Sequence, residues 1–431
     1  MKKYLFLIGL IVSSTTVFAQ GGTLSPYSQF GLGKIADQSV GAARGMNGVG
    51  IAFREHSQVN NLNPASYSAL DSITFLFDVG MTMQNTNYSE KGKAKNVKTA
   101  DFEYAVGAFR AYKHLGMAFG VIPYTNIGYD YAYTSSPIDG YQMAPSTGSS
   151  TTYTMQYLGS GGLHQAFVGI GYEPLKGLSV GMNASYLWGE INNAITTSYS
   201  DAYVNPLAKI FSGSVANYKL DFGVQYNTKI NKNDFVTVGV TFSPGHSLGT
   251  SPECLIVSGD SLKAYAGNAY SVPTEIGFGI AYKHKQIWRL GFDFDLQTWG
   301  KISTVDFISA DEKRSSIGRT TTYKNRQSYK LGGEYCKDLN SRSFWQRLRY
   351  RMGVGYSTPY FFIGDNNGPR EISVSAGVGV PIINNYNHRS IVNVGFGWSN
   401  IKAPGMLTEN TLMLNLGISF NERWFAKWKF E

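Results

Sequence analysis

Across 431 residues, charged side chains make up only 16% of the chain, whereas Tyr, Phe and Trp make up 14% and Gly occurs 49 times. A soluble protein of this size carries about a quarter charged residues, so the composition argues against a soluble globular domain and for a surface that meets lipid. The net charge of +9 is scattered and forms no aromatic-interleaved basic stripe, which leaves no footing for nucleic-acid binding.

Residues 1–19 have the form of a cleaved secretory signal: Lys2 and Lys3 in front, an apolar run over residues 4–12, and a small-residue cleavage pattern ending at Ala19. The apolar run is too short to span a bilayer as a helix, and nothing later approaches the ~20 apolar residues that a membrane helix needs. Residues 20–70 follow, and residues 30–70 are rich in Gly and small side chains. They carry Gly45, Gly48 and Gly50 in one compact run and close on Asn63, Pro64 and Ala65. Small residues let a backbone fold tightly in a confined space. Asn63 before Pro64 is biased to an extended or turn conformation, so the chain is expected to enter a strand there.

Period-two alternation then repeats to the end of the chain. In residues 411–420, Leu412, Leu414, Leu416, Ile418 and Phe420 share one face, and Met413, Asn415, Gly417 and Ser419 the other. A soluble sandwich would place charges opposite its large residues; here the second face is small and polar. Fourteen such segments are predicted, near residues 72–85, 100–112, 115–133, 163–172, 178–191, 218–228 and 234–242, and near 272–282, 286–299, 322–336, 349–357, 371–380, 390–398 and 411–420. An even count, with short connections (113–114, 173–177, 229–233, 283–285) alternating with long ones (86–99, 134–162, 192–217, 243–271, 300–321), is the pattern of an outer-membrane barrel. The fold expected is all-β: a transmembrane antiparallel β-barrel over residues 71–421, with residues 20–70 as a plug in its lumen and 422–431 as a periplasmic tail. Lys219, Asp221, Glu275, Arg289, Asp293, Asp295, Lys330, Glu334 and Arg351 must face that lumen, because Arg or Lys toward lipid near the midplane costs ~2–4 kcal/mol. The connection 337–348 is long for an inner one and contains Phe344, Trp345 and several Arg.

Chemistry is hard to find. Gly245-His246-Ser247-Leu248-Gly249 matches a nucleophile elbow, but Thr250-Ser251-Pro252-Glu253 follows where a helix should begin. The six His are spread singly with no metal-ligand spacing, and Cys254 and Cys336 make no disulfide framework. Neither an enzyme, a cofactor nor a metal is expected.

The Gly-rich segment ending in Asn63-Pro64-Ala65 directly ahead of a barrel, together with a third strand reading Gly120-Val121-Ile122-Pro123-Tyr124-Thr125-Asn126-Ile127-Gly128-Tyr129, resembles the FadL/TodX family of outer-membrane channels for hydrophobic compounds. The tail beyond Phe420 looks like those of the Bacteroidetes branch of that family. The resemblance implies passive uptake of a hydrophobic or amphipathic small molecule, fatty-acid-like or aromatic, across a Gram-negative outer membrane. Gly45, Gly48, Gly50, Asn63, Pro64 and Ala65 would form the hatch and gate, and Pro123, Tyr124, Asn126 and Gly128 a lateral opening where the third strand bends inward. An outer loop carrying Met143, Tyr153, Met155 and Tyr157 would collect ligand. Membrane lipid and the small-molecule ligand are the partners implied. The alternative is a non-transport barrel subunit of an outer-membrane assembly or type IX secretion machine, with a protein partner docked on residues 337–348 and the tail.

Overall fold

The computed structural model describes residues 23–72, 74–135, 152–200, 203–265, 269–302, 306–309, 316–319, 322–383 and 389–423. The expected signal sequence, Met143 and nearly all of the tail lie outside them. Fourteen antiparallel strands form a closed barrel. They are β1 (Thr74–Glu90), β2 (Lys93–Tyr112), β3 (Leu115–Ser135), β4 (Tyr153–Leu175), β5 (Leu178–Tyr199), β6 (Leu207–Asn231) and β7 (Asp234–Ser243), then β8 (Glu275–His284), β9 (Trp288–Gln297), β10 (Arg326–Tyr335), β11 (Arg349–Ser357), β12 (Arg370–Ile383), β13 (Arg389–Lys402) and β14 (Thr408–Arg423). Closure comes from β1 on β14, paired from Thr74↔Arg423 to Ser89↔Thr408.

The alternation has a plain physical meaning. Outward positions hold exposed aliphatic and aromatic side chains such as Val168, Ile280, Leu331 and Phe396. Exposed aromatics collect near the inner strand ends (Tyr112, Tyr172, Tyr226, Trp288, Tyr350) and again nearer the outer ends (Tyr218, Tyr329, Tyr356, Trp398). Tyr350 and Tyr356 on β11 are ~20 Å apart at ~3.3 Å per residue, close to the ~25 Å apolar band of outer-membrane barrels.

Several strands run further outward than the sequence reading placed them. Residues 86–99 are not a loop: β1 and β2 continue as a hairpin that turns at Lys91 and Gly92, both at positive φ. The ligand-collecting loop is likewise corrected, because Tyr153, Met155 and Tyr157 lie in β4 and Tyr157 stacks on Tyr131 of β3 with centroids 5.0 Å apart. Toward the outer ends of β3 and β4 the alternation becomes aromatic–polar, and in β1 and β2 it becomes polar on both faces, so a reading keyed to aliphatic residues ends these strands too early. The chain also does not enter a strand at Asn63. A 3-10 helix, Pro64–Ala69, intervenes, with Pro at its first position and the Asn63 side chain accepting from Ala65 N (3.1 Å), both suited to a helix start.

Cys254 lies in an outer strand, Glu253–Ser258, paired with β6, and Cys336 just past the inner end of β10. Both are free and buried, and burial pushes both thiols up, away from the reactive thiolate. Maleimide should therefore label neither in the folded barrel and both after denaturation. Recovery of a Cys254–Cys336 disulfide peptide would contradict the strand order.

Candidate functional site

Residues 23–72 pack against the inward face of the barrel, and the sequence's Gly-rich run supplies the tightest contacts. Asn63 is fully buried; besides capping, its Nδ2 donates to Ile51 O (2.8 Å) and to Val224 O of β6 (3.3 Å). Gln225 donates to the same Ile51 carbonyl (2.9 Å), while Asp293 of β9 accepts from Gly50 N (2.6 Å) and Ile51 N (3.0 Å). The strands leave room for this backbone by omitting side chains. A Cβ on Gly181 would lie 2.5 Å from Ala65 N, and one on Gly223 2.8 Å from Pro64 Cδ. These inward glycines were visible only as a "small face" in the sequence; their register with Asn63–Ala65 shows what the face is for.

The turn Gly41–Met46 sits over a second anchor. Gly45 lies against the Arg351 side chain and the Gly377 backbone, and the chain then turns through Asn47 and Gly48, both at positive φ, with Gly48 beside Lys330 and Asp37. Beneath it, Glu334 accepts from Arg351 Nε (2.7 Å) and Arg349 Nη1 (3.3 Å) and pairs with Arg289 Nη1 (3.3 Å), which also holds Glu55 (2.7 Å). Arg44 binds Glu103 of β2 (3.1 Å) and Thr82 of β1 (3.1 Å). Burial works against the Arg44 charge, and Glu103 with Asp37 outweighs it, leaving the guanidinium above its ordinary value. For Arg54, paired with Glu173 (3.0 Å), burial prevails and lowers it.

The third strand changes its pairing between Val121 and Thr125. β2 and β3 pair from Tyr112↔Leu115 to Ala105↔Val121, and beyond Val121 they share no ladder among the described residues. On its other side β3 stays on β4, with a register shift between Pro123 and Thr125 that leaves buried Tyr124 as a bulge. The freed edge is met from within. Thr125 and Asn126 pair with Ile35 and Lys34, Ala36 N donates to Tyr124 O (3.0 Å), Gln38 to Pro123 O (2.7 Å), and Gly128 N to Ser28 Oγ (3.1 Å). Pro123, Tyr124, Asn126 and Gly128 thus lie together, against the N-terminal segment rather than against β2. A cavity of about 310 Å³ remains beside this stretch, and its lining includes Lys34, Asn126, Glu103, Lys219, Glu275 and Asp295.

Toward the outer mouth, sequence reading missed a buried aromatic cluster. Trp299, Tyr323, Tyr360 and Phe361, from connections between strands, pack on Tyr27, Phe30 and Leu32. Phe30 stacks on Phe361 at 4.9 Å, and Tyr360 Oη donates to Phe30 O (3.1 Å). Its only sequence signal was aromatic residues at the base of polar connections. His246–Ser247 forms a two-residue strand with Ser271–Val272 and opens no helix. No metal-holding group of His, Cys, Asp or Glu occurs among the described residues.

The family model described as BamG matches residues 1–431. No curated protein matches the chain. Among solved structures, the toluene transporter TodX of P. putida is similar at a TM-score of 0.60 and 15% identity, over 91% of this chain and 100% of that one. The Ralstonia pickettii toluene transporter TbuX gives 0.59 and 14%, over 93% and 99%. A Pseudomonas aeruginosa FadL homologue gives 0.62 and 10%, over 90% and 99%. At these identities the likeness is one of fold.

Proposed function

The chain belongs to the BamG family, and from that footing we propose an outer-membrane barrel through which a hydrophobic or amphipathic small molecule passes, leaving sideways between β2 and β3. The observation that carries this reading is the interrupted ladder. Lipid-exposed unpaired backbone costs several kcal/mol per group, yet β3 leaves β2 at Val121 and turns its edge to residues 28–38. A cargo leaving there enters the bilayer without crossing water, which avoids ~25 cal/mol per Å² of apolar surface. The toluene transporters sharing the fold are named for such a cargo. The charged lining of the cavity adds a preference for a molecule with a polar end. In this reading residues 20–70 are the plug, Gly45–Gly50 and Asn63–Ala65 its gate, and the chain is exported by a signal in residues 1–19.

Lys34 and Asn126 are Cα partners across the plug–wall pairing, within disulfide range for antiparallel neighbours. With Cys254 and Cys336 replaced by Ser, Lys34→Cys/Asn126→Cys should lose uptake of a labelled fatty acid or aromatic hydrocarbon on oxidation and regain it on reduction. Undiminished uptake with the bond demonstrably formed rules out lateral exit.

A second reading, a barrel subunit of an outer-membrane assembly, is favoured by one observation: buried bonds hold the N-terminal segment to the wall on several sides of the lumen. Purification in mild detergent separates the readings. Stoichiometric protein partners support the second, and a lipid-like ligand found in the barrel by mass spectrometry supports the first.

A further inference from the structure

We propose that the connection between β10 and β11 is a membrane anchor, with Phe344 and Trp345 seated at the inner lipid–water interface. The other inner connections among the described residues are tight: residues 113–114, 176–177, 232–233 and 285–287. This one spans 336–348 and holds its own shape. Asp338 N donates to Gln346 O (3.0 Å), Ser341 Oγ to Gln346 Oε1 (2.9 Å), and Arg347 to Ser341 O (3.3 Å), while Cys336 and Leu348 are buried at its two ends. Its helical turn Phe344–Arg347 buries nothing. Phe344 is 48% and Trp345 70% exposed, their rings edge-to-face at 5.6 Å.

The direction in which the connection leans decides the occupant. On β11, Arg349 and Arg351 are buried inward while Tyr350 and Met352 are exposed outward. The outward Tyr350 donates its hydroxyl to Trp345 O (3.2 Å), so the connection is tied to the outer wall rather than lying beneath the lumen. Tyr350 also continues an aromatic line across the wall, with Tyr335 at 6.5 Å and Trp288 at 4.5 Å from Tyr335, all three in register. Phe344 and Trp345 extend that line beyond the strand ends, at the level where aromatic rings with one polar edge are most stable. The exposed Arg342 can reach headgroup phosphates from the same turn.

This inference rests on the outer-membrane placement above, not on transport, and the test separates the two. Single cysteines at Trp345, Val374 (outward, mid-wall) and Asn233 (an exposed inner turn), in a Cys254→Ser/Cys336→Ser chain, are spin-labelled and reconstituted in phosphatidylethanolamine–phosphatidylglycerol vesicles. Relaxation by oxygen should exceed relaxation by a water-soluble nickel chelate at 345, as at 374 and unlike 233. Nickel accessibility at 345 equal to that at 233, or a 345 label shielded from both agents by a second protein surface, overturns the anchor while 374 still reports insertion. A water-like 374 overturns the placement itself.

Discussion

Glu334→Ala should lower the stability of the barrel by about 3–5 kcal/mol, the cost of removing one partner from a fully buried ion pair. Glu334 is the single carboxylate directly holding Arg289, Arg349 and Arg351, and the remaining carboxylate of the cluster, Glu55, reaches only Arg289. Without it, Arg349 and Arg351 have no opposite charge in contact among the described residues, and the Gly45 backbone lies directly against the Arg351 side chain. Glu334→Gln keeps an acceptor and loses the charge, so it should fall between the parent and the alanine variant. Adding Arg351→Met to Glu334→Gln removes one of the stranded charges and should recover part of the loss, a coupling that additive effects would not give. The readout is the temperature at which the folded species disappears from an unboiled SDS gel. An alanine variant that unfolds with the parent would show that the cluster holds nothing.

The same cluster marks where the sequence was legible. Lipid forbids unpaired charge, so charges on alternating strands had to face inward, and Arg289, Asp293, Glu334 and Arg351 do. The strand count was readable for a similar reason: within the bilayer, period two has only one stable arrangement of large and small residues. Strand ends were not readable. Above the membrane both faces are wet, and Lys93, Lys95 and Lys98 in β2 look like a loop even though they pair with Glu90, Tyr88 and Asn85 of β1 across the hairpin turn. Pro123 suggested a break in the ladder, and the register of β3 on β4 shifts beside it, but no local signal could say that Lys34 and Ile35, some ninety positions earlier, would pair with Asn126 and Thr125. Nor could an inward glycine declare whether water, a ligand or another backbone would occupy its space.

That last ambiguity sets up the largest functional change expected. Gly181→Ala/Gly223→Ala should dislodge Asn63–Ala65 and leave the barrel conducting ions. Each new methyl falls on the seated segment: Gly181 faces the Pro64 carbonyl and Ala65 N, and Gly223 the Asn63 side chain and Pro64 Cδ. The obstacle in each case is backbone or a capped, fully buried side chain, which cannot step aside as a flexible side chain would. The wall itself has no objection, since β5 and β6 pair through both positions (Gly181↔Gly223) by main-chain bonds that alanine keeps. Once Asn63 lifts, Ile51 O loses one of its donors, and the Gly50–Ile51 contact with Asp293 no longer has its opposite support. Planar-bilayer recordings should then show steps absent from the parent, and protease should cut near Arg54, which in the seated segment is half-buried and held by Glu173 and Ser179 of the wall. Gly395→Ala is the control: its nearest neighbour would be Asn415 Cβ at 3.5 Å, an ordinary contact, so it should stay silent in both assays. If the double variant stays as closed and as protease-resistant as the parent, the inward glycines are not what seats the segment, and its hold must come from the charged anchors alone.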